Sequence, residues 1–372
     1  MSLQRFGSMN VLFLLLALLF TFSFRAQAST ITVVPSEAKN QIQASINNSH
    51  AGDTIYFQAG TYNFCGLRLA AGRTYVGATN GQTVIHWPGG CSLMVFYGSG
   101  LTVQHITFDG GGLYLGGAVS NVNVEYNTFQ NIAFGPNAQT EFGNWTTTIG
   151  VFMDTSATNT DISYNSFHNL STQILSLYVD ENLGVTGIFG FNLSNTTMNY
   201  NTFDTVNEGI HFFSGNNVQI DYNTITNFHR IGMEIQDDTH NLEVGFNSIS
   251  QPVTPFWDTF GISTAITGGN ANIHDNFIDD QVQKGCGSEC WIGYGIEAWG
   301  NGTVVTNNTI QGHWGNGIAV GPSSNLQVFK NKICGPEMNE PGNGFVINQL
   351  NTKWVGESFT NNTTSPALVC PQ

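Results

Sequence analysis

Positive charge is scarce in this chain: 10 Lys plus Arg stand against 25 Asp plus Glu among 372 residues, a formal net charge of −15. A surface so acidic repels nucleic acid and anionic membranes, so neither is an expected partner. It also disfavours acidic polymers unless a cation such as calcium bridges the two. Long apolar runs are missing beyond the first residues, so no later segment is expected to cross a bilayer. No Cys-x-x-Cys pair and no nearby histidine spacing occurs, which argues against a zinc site.

The one apolar run, Val11 to Phe20, follows Arg5, and small residues then reach Ala26-Gln27-Ala28. That is the order of a signal peptide ending in a small-x-small cleavage site. Residues 1–28 are expected to be this signal and residues 29–372 a single exported domain. The domain would be secreted, extracellular or periplasmic, with no stable membrane insertion after signal removal. Cleavage removes Arg5 and Arg25 but no acid, leaving eight Lys plus Arg against 25 acids and a formal charge of −17. All six cysteines lie in the mature part, and an even count in an exported protein predicts disulfides. The expected pairs are Cys65–Cys91 between neighbouring coils, Cys286–Cys290 within one loop, and Cys334–Cys370 pinning the C-terminal end.

Two short motifs recur. One is a residue, Asn, a residue, then Phe or Ile, as in Tyr126-Asn127-Thr128-Phe129, Tyr200-Asn201-Thr202-Phe203 and Tyr222-Asn223-Thr224-Ile225, with further copies at Asn165, Asn247, Asn276, Asn308 and Asn331. The other is Gly followed by an apolar residue, as in Gly150-Val151, Gly187-Ile188, Gly209-Ile210, Gly232-Met233, Gly261-Ile262, Gly295-Ile296 and Gly317-Ile318. From each Gly to the next Asn the count is always 13 to 15, whereas from each Asn to the next Gly it runs from 8 to 23. One half of each repeat is therefore nearly constant and every insertion falls in the other half. Within the constant half apolar residues alternate, as in Ile210, Phe212, Val218 and Ile220, the period of a strand with one buried face. Stacked coils would pair such strands in parallel around an apolar column. The recurring Asn is expected at a left-handed turn, its amide bonding to copies above and below.

With these coils, the opening Ile42-Gln43-Ala44-Ser45-Ile46, Ala51-Gly52-Asp53-Thr54-Ile55-Tyr56-Phe57 and Ala59-Gly60-Thr61-Tyr62 resembles the right-handed parallel β-helix proteins of the pectate lyase-like superfamily. The resemblance covers nearly the whole mature chain. It implies an all-β, single-stranded right-handed parallel β-helix solenoid with an N-terminal capping helix. That fold hosts lyases, hydrolases, epimerases and non-catalytic adhesins, so it implies a polysaccharide or glycan partner without naming a reaction.

The long insertions, 128–149, 166–186, 248–260 and 277–294, would all leave from one edge and wall the Gly-apolar strand face. The residues after Gly-apolar on that face are Phe152, Phe189, His211, Glu234, Ser263, Glu297 and Ala319. Glu234 and Glu297 would stand two coils apart, roughly 9–10 Å at the backbone, near the upper end of the carboxylate spacing of inverting glycosidases. One Glu, raised by burial, would protonate the leaving oxygen; the other would activate water, and His211 would orient Glu234. Asp237 could take over a carboxylate role, and Arg230 and Gln236 would hold substrate. Trp257, Trp291, Trp299 and Trp314 would offer flat faces to sugar rings. The competing expectation is a solvated polar ladder with His211 and Glu234 as an ordinary ion pair.

The Gln236-Asp237-Asp238 run resembles the paired aspartates of polygalacturonases, but the Gly-His-Gly and Arg-x-Lys motifs of that family are absent. The arginine-rich signatures of pectate lyases are absent as well. Three functions follow as expectations. The first is an inverting glycoside hydrolase. The second is a lyase or epimerase on polyuronate with Ca2+ held by Asp237, Asp238, Asp279 or Asp280. The third is a non-catalytic surface protein that binds glycan.

Overall fold

The computed structural model describes residues 27–79, 81–87, 92–132, 149–170, 185–250, 259–281, 294–312, 314, 316–321, 324–335, 345–347, 358–365, 367 and 369–370. The expected signal segment lies outside them apart from Gln27 and Ala28. Every described strand pair is parallel, in a 21-stranded and a 12-stranded sheet. Each strand pairs with the equivalent strand one coil earlier and one coil later. Phe167, for example, pairs with Phe203, which pairs with Ile225.

Each coil has three faces. The strand that opens with Gly-apolar forms the first, and the alternating stretch after it forms the second. In the central coils the two run on as one bent strand, Thr186–Thr197, Glu208–Asp221 and Ile231–Gly245. The strand after the recurring Asn forms the third face, in the smaller sheet. The variable half of the repeat therefore joins the third face of one coil to the first face of the next.

The core is a column of like residues. Phe108, Phe129, Phe167 and Phe203 stack with ring centroids 4.7 to 4.9 Å apart, all buried, and each contributes about 1.5–3 kcal/mol by leaving water. The recurring spacing of Gly has a steric cause. A Cβ on Gly209 would lie 2.6 Å from the carbonyl oxygen of Gly232 and 2.8 Å from Ile225 Cδ1, and Gly187, Gly232 and Gly261 are equally crowded. Only a bare backbone passes that corner.

The Asn repeats form a buried ladder. Asn201 illustrates it: its backbone N–H and its Nδ2 both donate to Asn223 Oδ1, at 2.9 and 3.1 Å, and Nδ2 also reaches Ile162 O at 2.8 Å. The expected left-handed turn is present, but it sits one residue earlier. Tyr126, Tyr164, Tyr200, Tyr222 and Phe246 have φ near +57°, and no ladder Asn does. The amide must point inward to serve two coils, so the neighbour takes the strained φ. Its ring turns outward into an exposed stack, with Tyr164, Tyr200 and Tyr222 at 4.9 Å spacing.

At the N-terminal end the helix Lys39–Asn48 buries Ile42 and Ile46 against the first strands. Gln43 ties it to the strand Leu67–Leu69 by donating to Arg68 O and accepting from Arg68 N, both at 2.9 Å. At the other end Cys334 and Cys370 are bonded as expected. Cys65, expected to pair with Cys91, is a free thiol, partly buried against the core after the strand Gly60–Asn63. Cys91, Cys286 and Cys290 lie outside the described residues.

Candidate functional site

The first face carries one outward column in unbroken register. Phe152 pairs with Phe189, Phe189 with His211, His211 with Glu234, Glu234 with Ser263, and Ser263 with Glu297. Strand alternation is the reason: Ile210 and Phe212 point into the core on either side of His211, as Met233 and Ile235 do around Glu234. The column expected from the sequence is thus assembled.

It is joined by an acid the repeat did not reveal. Glu208, at the start of the strand, is 1 % exposed, His211 2 % and Glu234 5 %. His211 Nδ1 lies 3.0 Å from Glu208 Oε2 and 3.6 Å from Glu234 Oε2. Arg230 Nη1 donates to Glu208 Oε1 at 2.6 Å and stands 3.8 Å from Glu234 Oε2. Thr186 Oγ1 donates to Glu208 Oε2 at 3.1 Å, and Gln236 Nε2 donates to Glu234 Oε1. A signal for Glu208 did exist. The residue before Gly is Ile149, Thr186, Ile231, Phe260 or Tyr294 in other coils, and an acid there breaks the pattern. Its inward turn toward His211 and Arg230 is a corner geometry that strand alternation does not encode.

The two carboxyls are driven apart. Burial pushes Glu208 upward, but its hydrogen bond from His211 and the charges of His211 and Arg230 outweigh burial and hold it at about 2. Glu234 moves the other way, raised first by burial and then by the charge of Glu208. Burial works against the His211 cation, yet the Glu208 hydrogen bond and the charges of Glu208 and Glu234 raise it overall. Because Oε1 of Glu234 accepts from Gln236, Oε2 is the oxygen left to carry a proton when this carboxyl holds one. That oxygen and His211 Nε2 are buried and make no hydrogen bond among the described residues. A proton donor beside a fixed anion and two cations is the chemistry this arrangement provides.

Glu297 stands half-buried two strands on, roughly 9–10 Å away at the backbone, and accepts from Ser263 Oγ at 2.6 Å. The neighbouring outward column continues with Phe191, Phe213, Gln236 and Ala265. Trp299 is half-buried in the same face, its indole lying over Gly321, where a Cβ would come within 2.2 Å of the ring.

Other expected site residues are placed elsewhere. Asp237 sits exposed at a bend with φ 60°, beside the point where the register shifts. It is not part of the Glu208, His211 and Glu234 group. Trp314, which lies in the chain between the strands Thr309–Gly312 and Asn316–Val320, is 1 % exposed and packed in the apolar core, so it offers no face to a ligand. Trp257 and Trp291 lie outside the described residues.

The expected calcium ligands do not come together. Asp237 and Asp238 belong to the larger sheet and Asp279 and Asp280 to the smaller, and Asp238 is engaged by His240 Nε2 at 2.9 Å. Among the described residues one group could hold a metal, Glu208, His211 and Glu234, with ligand atoms within 4.8 Å of one another. This set does not fit calcium, which takes six to eight oxygen ligands. It offers two carboxylates and a nitrogen, and Arg230 already neutralises Glu208.

Residues 208–369 match the family described as right handed beta helix region. Among solved structures, the chain is similar to the A-module of the mannuronan C-5 epimerase of Azotobacter vinelandii, with 14 % identity, TM-score 0.55, and 89 % of this chain and 92 % of that one covered. It is similar to the surface adhesin PfbA of Streptococcus pneumoniae, with 13 % identity, TM-score 0.54, and 87 % and 88 % covered. It is also similar to an alginate lyase from a Paenibacillus species, with 12 % identity, TM-score 0.52, and 91 % and 98 % covered. No curated protein sequence matches. Every described strand pair is parallel, and residues 208–369 match the right-handed family model, so the chain has a right-handed parallel β-helix fold.

Proposed function

We propose that this protein is an exported carbohydrate-active enzyme that cleaves a polysaccharide by acid–base hydrolysis with inversion. The observation that carries the reading is Glu234, a carboxyl with a raised pKa, in one outward column with a second carboxylate, Glu297, two coils on. Glu234 protonates the leaving glycosidic oxygen, and Glu297 takes a proton from the attacking water as Ser263 orients it. Glu208, Arg230 and His211 are positioning residues: the Glu208 charge keeps the proton on Glu234, and Gln236 fixes which oxygen carries it. Similar folds include an epimerase, a lyase and an adhesin, so the reaction class rests on these side chains alone.

Glu234→Gln and Glu297→Gln are each expected to lower kcat by about 10²–10⁴-fold, with the thermal midpoint kept, in a reducing-end assay on a polysaccharide panel. Undiminished turnover in either variant removes the assignment. A product absorbing as an unsaturated uronate would make the enzyme a lyase, and glycan binding with no product would make it a binding protein. Export is tested by N-terminal sequencing of the protein recovered outside the cytoplasm, with Ser29 expected first.

A further inference from the structure

The site has an aromatic floor toward its N-terminal coils. From His211 toward the N-terminal coils, ring follows ring on the same face. Phe189 lies 4.9 Å from His211, Phe152 5.7 Å from Phe189, Tyr114 5.5 Å from Phe152, and Tyr97 6.0 Å from Tyr114. A second row runs beside it, with Phe191 stacked on Phe213 at 5.5 Å and Phe152 6.4 Å from Phe191. Between the rows lies a cavity of about 300 Å³ lined by Phe152, Asp154, Thr155, Phe191 and Asn192. Phe152, Phe191 and Phe213 are half-exposed and Tyr97 is exposed, whereas Tyr114 and Phe189 are buried and support them from below, so a ligand reaches the first four rings.

The polar groups along these rows are those that bind hydroxyls. Asp154 accepts from Tyr114 Oη at 2.6 Å, and Thr155 O accepts from Asn192 Nδ2 at 2.9 Å. The one formal charge among the lining residues is the Asp154 carboxylate. Following the register outward from Tyr114 through Val95, the first cation is Arg68, two coils away. Among the described residues, a uronate polymer lying here would meet an acid and aromatic faces and no counter-charge before His211 and Arg230 at the catalytic end. A neutral sugar chain would meet flat apolar faces for its C–H surfaces and acceptors for its hydroxyls.

We infer that the rows Tyr97–Tyr114–Phe152–Phe189 and Phe191–Phe213 form the binding track of the proposed active site, and that its ligand is a neutral glycan chain lying along the solenoid axis from the N-terminal coils to Glu234. This rests on the catalytic reading for its direction but not for its contacts. The track spans four coil spacings, about 19 Å, so it takes several sugar units and places one end of the bound chain at the acid.

The test is calorimetric titration of the Glu234→Gln protein with cello-, laminari-, malto- and xylohexaose, and with hexagalacturonate and hexamannuronate. At least one neutral hexasaccharide is expected to bind more tightly than both uronates. Phe191→Ala on that background should weaken it about tenfold, with Phe191→Leu intermediate because it keeps bulk but not a flat face. Melting curves identify any variant that has lost its fold, and Phe191→Leu then carries the comparison. The inference is overturned if no neutral chain binds, if a uronate binds more tightly, or if neutral binding ignores both Phe191 changes. Neutral binding lost in Phe191→Ala, with turnover surviving Glu234→Gln, sinks the catalytic reading alone. Glu234-dependent turnover of a uronate polymer sinks the track and leaves the acid in place.

Discussion

Glu208, His211 and Arg230 hold charge out of water, which is tolerable only while they remain together. Removing one partner of such a group leaves the others uncompensated, and Glu208→Ala is expected to cost about 3–5 kcal/mol, read as a shift in the urea midpoint. The same group gives stability a pH signature. Glu208 is depressed from 4.5 to about 2, so its contribution is complete above pH 4.5 and is lost as pH falls toward 2. His211 is raised above 6.5, so its contribution is complete below 6.5 and fades as pH rises through its folded value. Glu234, raised from 4.5, also loses stability as pH rises. Urea midpoints of Glu208→Gln should therefore fall less steeply than those of the parent between pH 4.5 and 2. An unchanged slope would mean Glu208 is not held ionised by its neighbours. With Glu234 as the proposed acid, the alkaline limb of kcat/KM should lie above 4.5. Of these residues the sequence shows His211, Glu234 and Arg230, since they flank recurring motifs. It marks Glu208 only as a break in the repeat and hides its contacts, which are made across a corner and between coils.

At the scale of the single coil, stability is a matter of repeated fits. Asn223 donates from Nδ2 to Met198 O at 2.8 Å and to Asn247 Oδ1 at 3.0 Å, and its Oδ1 accepts from Asn201. Asn223→Ala orphans buried groups in two coils and is expected to cost about 1–3 kcal/mol per unsatisfied group, measured by thermal melting. Gly209→Ala drives a methyl to 2.6 Å from the Gly232 carbonyl and should cost about 1–3 kcal/mol as the coils are forced apart. A neutral result at either position would mean the spacing is not set by these fits. The two motifs were readable because both are demanded in every coil. Which residue of each Tyr-Asn pair adopts positive φ was not readable, since both types can; the inward hydrogen bonds of the Asn decide it.

Across the whole molecule, each coil contacts only its neighbours, so a lesion at one end should stay there. The Cys334–Cys370 bond closes a separation of 36 residues, for which loop entropy predicts about 3–4 kcal/mol. Reduction should speed amide exchange in the coils near Cys334 and leave the strands around His211 protected. Loss of protection at both would mean the solenoid melts as one unit. The sequence by itself determined the coil, its period, its parallel stacking and the outward column, because those follow from steric and apolar demands repeated in each turn. Only the tertiary structure decided that Trp314 fills the core, that the four aspartates stay apart, and that Glu208 and Arg230 close around His211. Those facts depend on how successive corners turn their side chains, and a corner that occurs once leaves no period to read.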